Sequence, residues 1–155
     1  MQIDYRSLRR TISALTEGET DAIALMATMA CELHHSDERF DWTGFYRVVA
    51  PGLLKIGPYQ GGHGCLVIPF ERGVCGAAAR TGTVQRIDDV NAFADHIACS
   101  SSTRSEIVLP VRDSGGVIRA VLDIDSDRPA AFTKTDAEEM DSLIKDVFGR
   151  TDVMF

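Results

Sequence analysis

Four cysteines and four histidines are the residues of this chain best suited to chemistry at sulfur or at a metal. Cys65 and Cys99 lie in glycine-rich or serine-rich segments, and each has a histidine nearby, His63 and His96 respectively. A thiolate beside an imidazolium is a good nucleophile, so both cysteines are candidates for a reactive thiol. The same four side chains could instead bind zinc, although their spacing differs from that of common structural zinc motifs.

The other two cysteines have less reactive surroundings in the sequence. Cys31 falls within a predicted amphipathic helix, so a buried or half-buried structural thiol is expected. Cys75 falls in the first turn of a short predicted helix, where the helix N-terminus lowers the pKa of a thiol, whereas tight packing among the neighbouring glycines and alanines raises it. The residues alone leave the role of Cys75 open.

Three carboxylates are brought together by the clearest predicted hairpin of the chain. Its apolar face is complete without Glu106, Asp123 and Asp125. If residues 113–116 form the turn, Arg112 faces Val117, and Glu106 is then paired with Asp123 on one face of the sheet. Asp125 follows on the same face, roughly 7 Å further along the strand. The hairpin therefore predicts a patch of three carboxylates.

This patch has two interpretations. A solvated sheet face is the commoner environment of carboxylates on a strand. Adjacent carboxylates repel each other unless a cation binds, however, and Trp42 and Tyr46 share a strand face that needs a cover. A small ligand with an ammonium group and an apolar tail would meet both requirements, so the patch is a candidate binding site.

Composition limits the partners and the compartment. The net charge of -7 and the scattered basic residues exclude an electrostatic footprint for nucleic acid. The first ten residues lack the apolar region of a signal peptide, and no stretch approaches the roughly 18 apolar residues of a membrane span. We therefore expect a cytoplasmic protein whose cysteines form no structural disulfide framework. The length of 155 residues predicts a single domain over 1–155.

Hydrophobic periodicity predicts an α+β fold. Helical spacing of apolar residues over 20–33 and 133–148 predicts one amphipathic helix near each end, capped by Thr20 or Asp21 and by Thr133 or Thr135. A short helix is predicted over 74–80, closed by Gly82, and residues 88–102 are predicted to be a loop with one helical turn near Cys99. Strands with mostly hairpin connections are predicted over 41–49, 53–56, 65–69, 106–112 and 117–125. These elements indicate a central antiparallel sheet of about six strands.

Six segments together resemble the free methionine-(R)-sulfoxide reductases, a family of stand-alone GAF-fold enzymes. The segments are 41–46 (DWTGFY), 57–61 (GPYQG), 72–76 (RGVCG), 96–99 (HIAC), 105–110 (SEIVLP) and 122–126 (LDIDS). They occur in order and at compatible spacing, and they cover most of the chain from residue 41 to the last helix. The resemblance implies a GAF-like fold with the N- and C-terminal helices packed on one face of the sheet.

The resemblance also implies roles for individual residues. Cys99 takes the role of the catalytic nucleophile, Cys65 matches the resolving cysteine, and Cys75 matches a third catalytic-site cysteine with a less defined part. The substrate-binding positions of the family match Trp42, Tyr46, Glu106, Asp123 and Asp125. Their carboxylates and aromatic rings agree with the binding site that the hairpin predicts.

The implied reaction begins with attack of the Cys99 thiolate on the sulfoxide sulfur, while Glu106 or Asp125 protonates the oxygen. Methionine leaves, Cys99 becomes a sulfenic acid, Cys65 condenses with it, and a thioredoxin-like reductant reopens the disulfide. Free methionine sulfoxide is the implied substrate, and sulfoxide within a peptide should be rejected. No metal or bound cofactor is required, no membrane or nucleic acid is expected as a partner, and a homodimer is implied.

The competing interpretation is a sensory GAF module that binds a small ligand and signals through partner domains. The chain ends at Phe155, shortly after the predicted closing helix, and we therefore expect the enzyme. The chain departs from the family pattern in its fourth thiol, Cys31, and in the stretch 62–64 before Cys65.

Overall fold

The computed structural model describes residues 2–97 and 99–155. The helices in this part of the chain are α1 (Tyr5–Leu15), α2 (Ala22–Ser36), α3 (Gly73–Thr81) and α4 (Lys134–Phe148), with a 3-10 turn over Val90–Ala92. The strands are β1 (Trp42–Ala50), β2 (Leu53–Gln60), β3 (Val67–Pro69), β4 (Gln85–Ile87), β5 (Ser105–Arg112) and β6 (Ile118–Ser126). None of the described helices combines the length and the hydrophobicity needed to cross a membrane.

The strands form one sheet in the order β3-β2-β1-β6-β5-β4, and every neighbouring pair is antiparallel. The predicted α+β class with a central antiparallel sheet of six strands is therefore confirmed. β1 and β6 lie at the centre of the sheet, so side chains on these two strands are the most completely surrounded by neighbours. Residues 42–46 and 121–125 face each other there, which positions the predicted aromatics beside two of the predicted carboxylates.

One face of the sheet is covered by α1, α2 and α4, as the resemblance implies. Phe45 of β1 and Leu122 of β6 are fully buried against Leu25 of α2 and Met140 of α4 in one hydrophobic core. Asp21 caps α2, because its side chain accepts from the backbone of Ile23 at 2.8 Å. Burial of these apolar stripes holds the helices on this face and leaves the opposite face to the candidate site.

The start of the last helix is fixed by a reciprocal pair of hydrogen bonds. The Thr133 hydroxyl accepts from the backbone N–H of Asp136 at 3.1 Å, and the Asp136 carboxylate accepts from the backbone N–H of Thr133 at 2.8 Å. This capping box selects Thr133 over Thr135 as the cap. Asp136 also accepts from Arg39 at 3.0 Å, so the same carboxylate ties α4 to the segment before β1.

Several boundaries differ from the sequence predictions. Helix α1 and strand β4 were not predicted, because α1 buries only Leu8 and Ile12 and β4 has three residues. β2 continues past residue 56 to Gln60, and β3 begins at Val67 rather than at residue 65. The regular turn in the 88–102 segment is Val90–Ala92, upstream of the predicted position near Cys99. The short edge strands lack the run of alternating residues from which strands are recognised.

The second face of the sheet is covered by α3 and by the connecting segments. α3 ends at Gly82, whose φ of 67° is the left-handed conformation expected of a helix-terminating glycine. Gly76 lets α3 approach the turn after β3, since a Cβ at this position would lie 2.7 Å from the carbonyl oxygen of Phe70. The side chains of Trp42, Tyr46 and Val121 point into the layer between this helix and the sheet. This layer contains the candidate site.

Candidate active site

A small pocket lies between the second sheet face, α3 and the connecting segments. Its cavity of about 40 Å³ has room for a few water molecules. Seven of the eight residues that the sequence predicted for the site line it, and the eighth, Cys65, is bonded to Cys99. The seven are Trp42, Tyr46, Cys75, Cys99, Glu106, Asp123 and Asp125. The sequence prediction thus identified residues that the fold brings together from three strands, one helix and one loop.

The carboxylates share the pocket, but the predicted pairing between them was wrong. Glu106 pairs with Asp125, and Asp123 pairs with Val108. The cause is the hairpin end, where Arg112 pairs with Ile118 rather than with residue 117, and where a bulge shifts the register by one further residue. The two shifts add to an even number, so every side chain keeps its predicted face.

The carboxylate cluster has no basic side chain beside it among the described residues. Glu106 and Asp123 are 5% and 4% exposed, and Asp125 is half-buried. Oδ1 of Asp123 has no hydrogen-bond partner in the described part of the chain. No lysine or arginine belongs to the pocket lining within residues 2–97 and 99–155. Three acidic groups therefore face one cavity to which the described residues contribute no basic side chain.

Burial changes the protonation of all three groups. It raises the pKa of Glu106 well above its usual range, and the charges of Asp123 and Asp125 add to this shift. The pKa of Asp125 is raised by burial and then by the charge of Asp123. Burial raises the pKa of Asp123 to about 6, against hydrogen bonding from Glu106 and Cys75 that favours its charged form. With a pKa of about 6, Asp123 is ionised at neutral pH, while burial favours the protonated forms of Glu106 and Asp125.

His96 lies against this cluster without forming an ion pair. Its Nε2 is 3.7 Å from a carboxylate oxygen of Glu106, a distance that fits a salt bridge if both groups are charged. Burial lowers the pKa of His96, however, and raises the pKa of Glu106, and both shifts favour the neutral forms of the two groups. We therefore interpret the contact as packing of two neutral groups.

Stacked aromatic rings form the apolar wall of the pocket. Trp42 stacks on Tyr46 at 5.8 Å and on Tyr59 at 5.4 Å between ring centroids, and its Nε1 donates to the carbonyl oxygen of Gly62 at 2.8 Å. Gly44 makes room for this stack, since a Cβ there would lie 2.5 Å from both the Trp42 ring and the Tyr59 Cβ. Tyr59 is not among the residues that the sequence predicted for the site. The glycine inside a predicted strand was the available signal for close packing of its neighbours.

Cys65 and Cys99 form a disulfide with a Cα–Cα distance of 5.4 Å. The bond fastens the segment around Cys99 over the pocket, next to the carboxylates. Because both sulfurs are used in this bond, the alternative zinc site with His63 and His96 is not assembled in this form of the protein.

Cys75 is a buried thiol at the floor of the pocket. Polar atoms of Cys75, Glu106 and Asp123 lie within 4.8 Å of one another. Burial and the three carboxylates raise the pKa of Cys75 well above its usual range, so its sulfur stays protonated. This spacing could also hold a metal ion, but a thiol that resists deprotonation is a poor ligand. Cys31 lies half-buried on α2, in agreement with the predicted structural thiol.

Removing the charge of Asp123 is expected to stabilise the empty protein at alkaline pH. Its pKa is higher in the folded than in the unfolded chain, so the folded chain binds more protons and wild-type stability falls as pH rises from about 4 to about 6. Asp123→Asn lacks this titration, so its free energy of unfolding should exceed that of wild type by roughly 1–3 kcal/mol at about pH 8. The two proteins should differ little at about pH 4. Urea denaturation at both pH values measures the effect.

The control for this prediction is Asp127→Asn, which removes an exposed carboxylate near the same strand end. It should leave the free energy of unfolding within about 0.5 kcal/mol of wild type at both pH values. An Asp123→Asn protein less stable than wild type at the higher pH would contradict the description of Asp123 as a buried carboxylate without a countercharge.

Comparison with known proteins agrees with this architecture. The GAF domain model matches residues 6–146 of the chain. The chain is 48% identical over 134 residues to protein YtsP of Bacillus subtilis (strain 168), covering 86% of this chain and 82% of that protein. It is 41% identical over 140 residues to the free methionine-R-sulfoxide reductase of Escherichia coli (strain K12), covering 90% and 84%.

Similarity to a solved structure points the same way. The free methionine-R-sulfoxide reductase from Neisseria meningitidis, solved in complex with its substrate, has a TM-score of 0.89 to this chain at 41% identity, covering 96% of this chain and 88% of that one. The GAF-like fold and the family that the six sequence segments indicated are thereby confirmed. The chain belongs to the GAF-domain proteins and, among them, to the family of the free methionine-R-sulfoxide reductases.

Proposed function

We propose that this protein reduces free methionine (R)-sulfoxide to methionine, with Cys99 as nucleophile and Cys65 as its disulfide partner. The observation that carries the proposal is the Cys65–Cys99 disulfide beside a buried carboxylate cluster that has no countercharge among the described residues. A redox-active sulfur and a cation-binding site thus border one pocket. The relatives named as reductases of this substrate supply its identity and its stereochemistry.

The cluster is proposed to recognise the ammonium group of a free amino acid. Asp123 is ionised at neutral pH, and its Oδ1 lacks a hydrogen-bond partner among the described residues. An ammonium N–H can therefore donate a hydrogen bond to this oxygen. Trp42 and Tyr46 offer an apolar wall to the methylene groups and the methyl group of the substrate. A substrate whose nitrogen is acylated would leave Asp123 buried and unpaired.

The chemistry requires one thiolate and one proton donor. The Cys99 thiolate attacks the sulfoxide sulfur, and Glu106, which burial keeps protonated, gives its proton to the sulfoxide oxygen. The oxygen is transferred to Cys99 as a sulfenic acid, and methionine leaves with its sulfur reduced by two electrons. The thiol of Cys65 then attacks the sulfenic sulfur, forming the disulfide and releasing water.

Cys75 is proposed to remain a thiol throughout this cycle. Its raised pKa makes Cys75 a weak nucleophile. The disulfide partner of Cys99 is Cys65, not Cys75. Its S–H lies close to the Asp123 carboxylate and favours the ionised form of that group. We therefore assign Cys75 to the positioning of Asp123 rather than to bond making.

Turnover requires an external dithiol that reopens the disulfide, and a thioredoxin-like protein in the cytoplasm is the proposed source. The cavity of the disulfide form is too small for an amino acid, so reduction is also proposed to free the segment around Cys99 and admit the next substrate. A homodimer and a single domain over 1–155 are part of the proposal, and light scattering coupled to gel filtration measures the first of these.

The test compares free methionine (R)-sulfoxide with N-acetylmethionine (R)-sulfoxide, which differs only in the lost ammonium group. With dithiothreitol as reductant, we expect kcat/KM for the acetylated compound to fall by about 100-fold or more, because Asp123 is then left unpaired. The free (S)-sulfoxide is the stereochemical control and should not be reduced. Equal rates for the free and the acetylated (R)-sulfoxide would contradict recognition of the ammonium group.

A further inference from the structure

The two chain segments that contain the disulfide cysteines are uncharged, although the exposed Lys55 pairs with Val67 across β2 and β3. Residues 61–70 and 96–103, which contain Cys65 and Cys99, include no aspartate, glutamate, lysine or arginine, although 25% of the chain is charged. Leu66, directly after Cys65, is 70% exposed, more than any other large hydrophobic residue of the described chain, and Val67 is 48% exposed. We call Leu66 and Val67 the apolar rim. Two adjacent exposed apolar residues directly beside a disulfide are a candidate contact surface.

The apolar rim also lies at an edge of the sheet. Val67 opens β3, which is the terminal strand of the sheet and pairs on one side with β2. The carbonyl oxygen of Leu66 extends this pairing by accepting from the backbone N–H of Ile56 at 3.0 Å. The backbone that carries Leu66 is therefore fixed, and its side chain is presented to a partner at little cost in conformational entropy.

The chemistry of the disulfide requires a partner at this place. Reduction begins when a thiolate of the partner comes within bonding distance of one of the two sulfurs. The partner must therefore contact the residues beside that sulfur. Cys99 lines the pocket, whereas Cys65 does not and is joined directly to the apolar rim. This inference rests on the proposed function, because a disulfide that is never reopened needs no docking surface.

We propose that a dithiol protein docks on the apolar rim, through an uncharged surface around its own cysteine pair, and attacks the sulfur of Cys65. The attack forms a mixed disulfide between the partner and Cys65 and breaks the Cys65–Cys99 bond, so that Cys99 leaves as a thiolate beside the pocket. The second thiol of the partner then attacks the mixed disulfide and releases Cys65. The partner loses two electrons to form its own disulfide, and its two thiol protons pass to Cys65 and Cys99.

The test separates docking from chemistry by changing the reductant. Leu66→Glu places a charge on the apolar rim without touching the pocket, and Val117→Glu places the same charge on a 53% exposed residue beside the β5–β6 turn. Turnover is measured with dithiothreitol and, separately, with thioredoxin, thioredoxin reductase and NADPH. Leu66→Glu should lower kcat/KM for thioredoxin by about tenfold or more and leave dithiothreitol-driven turnover within about twofold of wild type. Val117→Glu should match wild type in both assays.

Other outcomes overturn the proposal in recognisable ways. Leu66→Glu with unchanged kcat/KM for thioredoxin would remove the apolar rim as the docking site. An equal loss of turnover with dithiothreitol in Leu66→Glu would show damage to the pocket. A different molecular mass of this variant from wild type in gel filtration would show that the rim contacts a second copy of the chain. Absence of wild-type turnover with dithiothreitol would instead refute the proposed function, with which the docking inference falls.

The attacked sulfur is identified by trapping. Thioredoxin whose second active-site cysteine is replaced by serine cannot resolve the mixed disulfide, so it should remain bonded to the oxidised protein. Peptide mapping is expected to find the bond at Cys65. A bond at Cys99 would overturn the proposed direction of attack, even if Leu66→Glu weakened docking.

Discussion

Cys99→Ser is expected to lower methionine formation by about 1000-fold or more, because the sulfur that accepts the sulfoxide oxygen is removed. Cys65→Ser should instead form one methionine per chain and then stop, since the sulfenic acid on Cys99 finds no second thiol. Both variants are reduced, freed from reductant and mixed with excess free methionine (R)-sulfoxide. Methionine per chain is counted, and dimedone should label Cys99 in the Cys65→Ser protein.

Cys75→Ser is the matched control, because Cys75 borders the same pocket but is held as a thiol by burial. A serine hydroxyl can still donate to Asp123, so single-turnover methionine formation should stay within about tenfold of wild type. Cys31→Ser, on the opposite side of the sheet, should match wild type. Full activity of Cys99→Ser together with loss of activity in Cys75→Ser would show that the nucleophile is assigned to the wrong cysteine.

The sequence predicted best those elements whose apolar residues repeat with a regular period. α2 and α4 bury one helical stripe each, and β5 and β6 alternate between the two sheet faces, so their apolar residues report their partners directly. α1 buries only Leu8 and Ile12 against the core, and two apolar residues are too few to predict a helix from their spacing. β4 is held by its pairing with β5, a tertiary contact that three residues do not encode locally.

The candidate site was predictable in its residues and unpredictable in its distances. Alternation assigned Glu106, Asp123 and Asp125 to one face of the sheet. This assignment was right although the predicted register was wrong, because the two one-residue shifts at the hairpin end add up to two residues. The disulfide joins cysteines separated by 34 positions, and no local pattern brings them together. Their pairing followed from family resemblance, since it depends on how the β2–β3 connection meets the segment before β5 across the sheet.

The protonation of the site also lay beyond the sequence. Two carboxylates on one sheet face are expected to be charged when water reaches them, and the pattern alone cannot show that α3 and its flanking segments exclude that water. In the proposed mechanism, the proton that burial favours on Glu106 serves as the catalytic acid. We propose Glu106 rather than Asp125 as the donor because the Glu106 side chain is more completely buried than the half-buried Asp125.

Glu106→Gln is accordingly expected to lower the single-turnover rate of methionine formation by about 100- to 10,000-fold, the usual contribution of a general acid. Glutamine keeps the shape of the side chain and its ability to donate a hydrogen bond, but it cannot transfer a proton. The wild-type rate should fall at alkaline pH, because a donor acts only below its pKa, which burial raises in Glu106. The rate of the variant should lack this alkaline decrease. Rapid quenching of reduced protein with substrate across about pH 6 to 9 measures both effects without interference from a reductant.

Asp125→Asn is the comparison that decides between the two candidate donors. Asp125 pairs with Glu106 across the strands and borders the same pocket, but it is half-buried and faces Trp42 on β1. Its loss should weaken substrate binding by about tenfold, through a weaker hydrogen bond near the ammonium group, while the alkaline decrease in rate persists. If Asp125→Asn removed that decrease and Glu106→Gln retained it, the proton would come from Asp125, and Glu106 would serve the ammonium group instead.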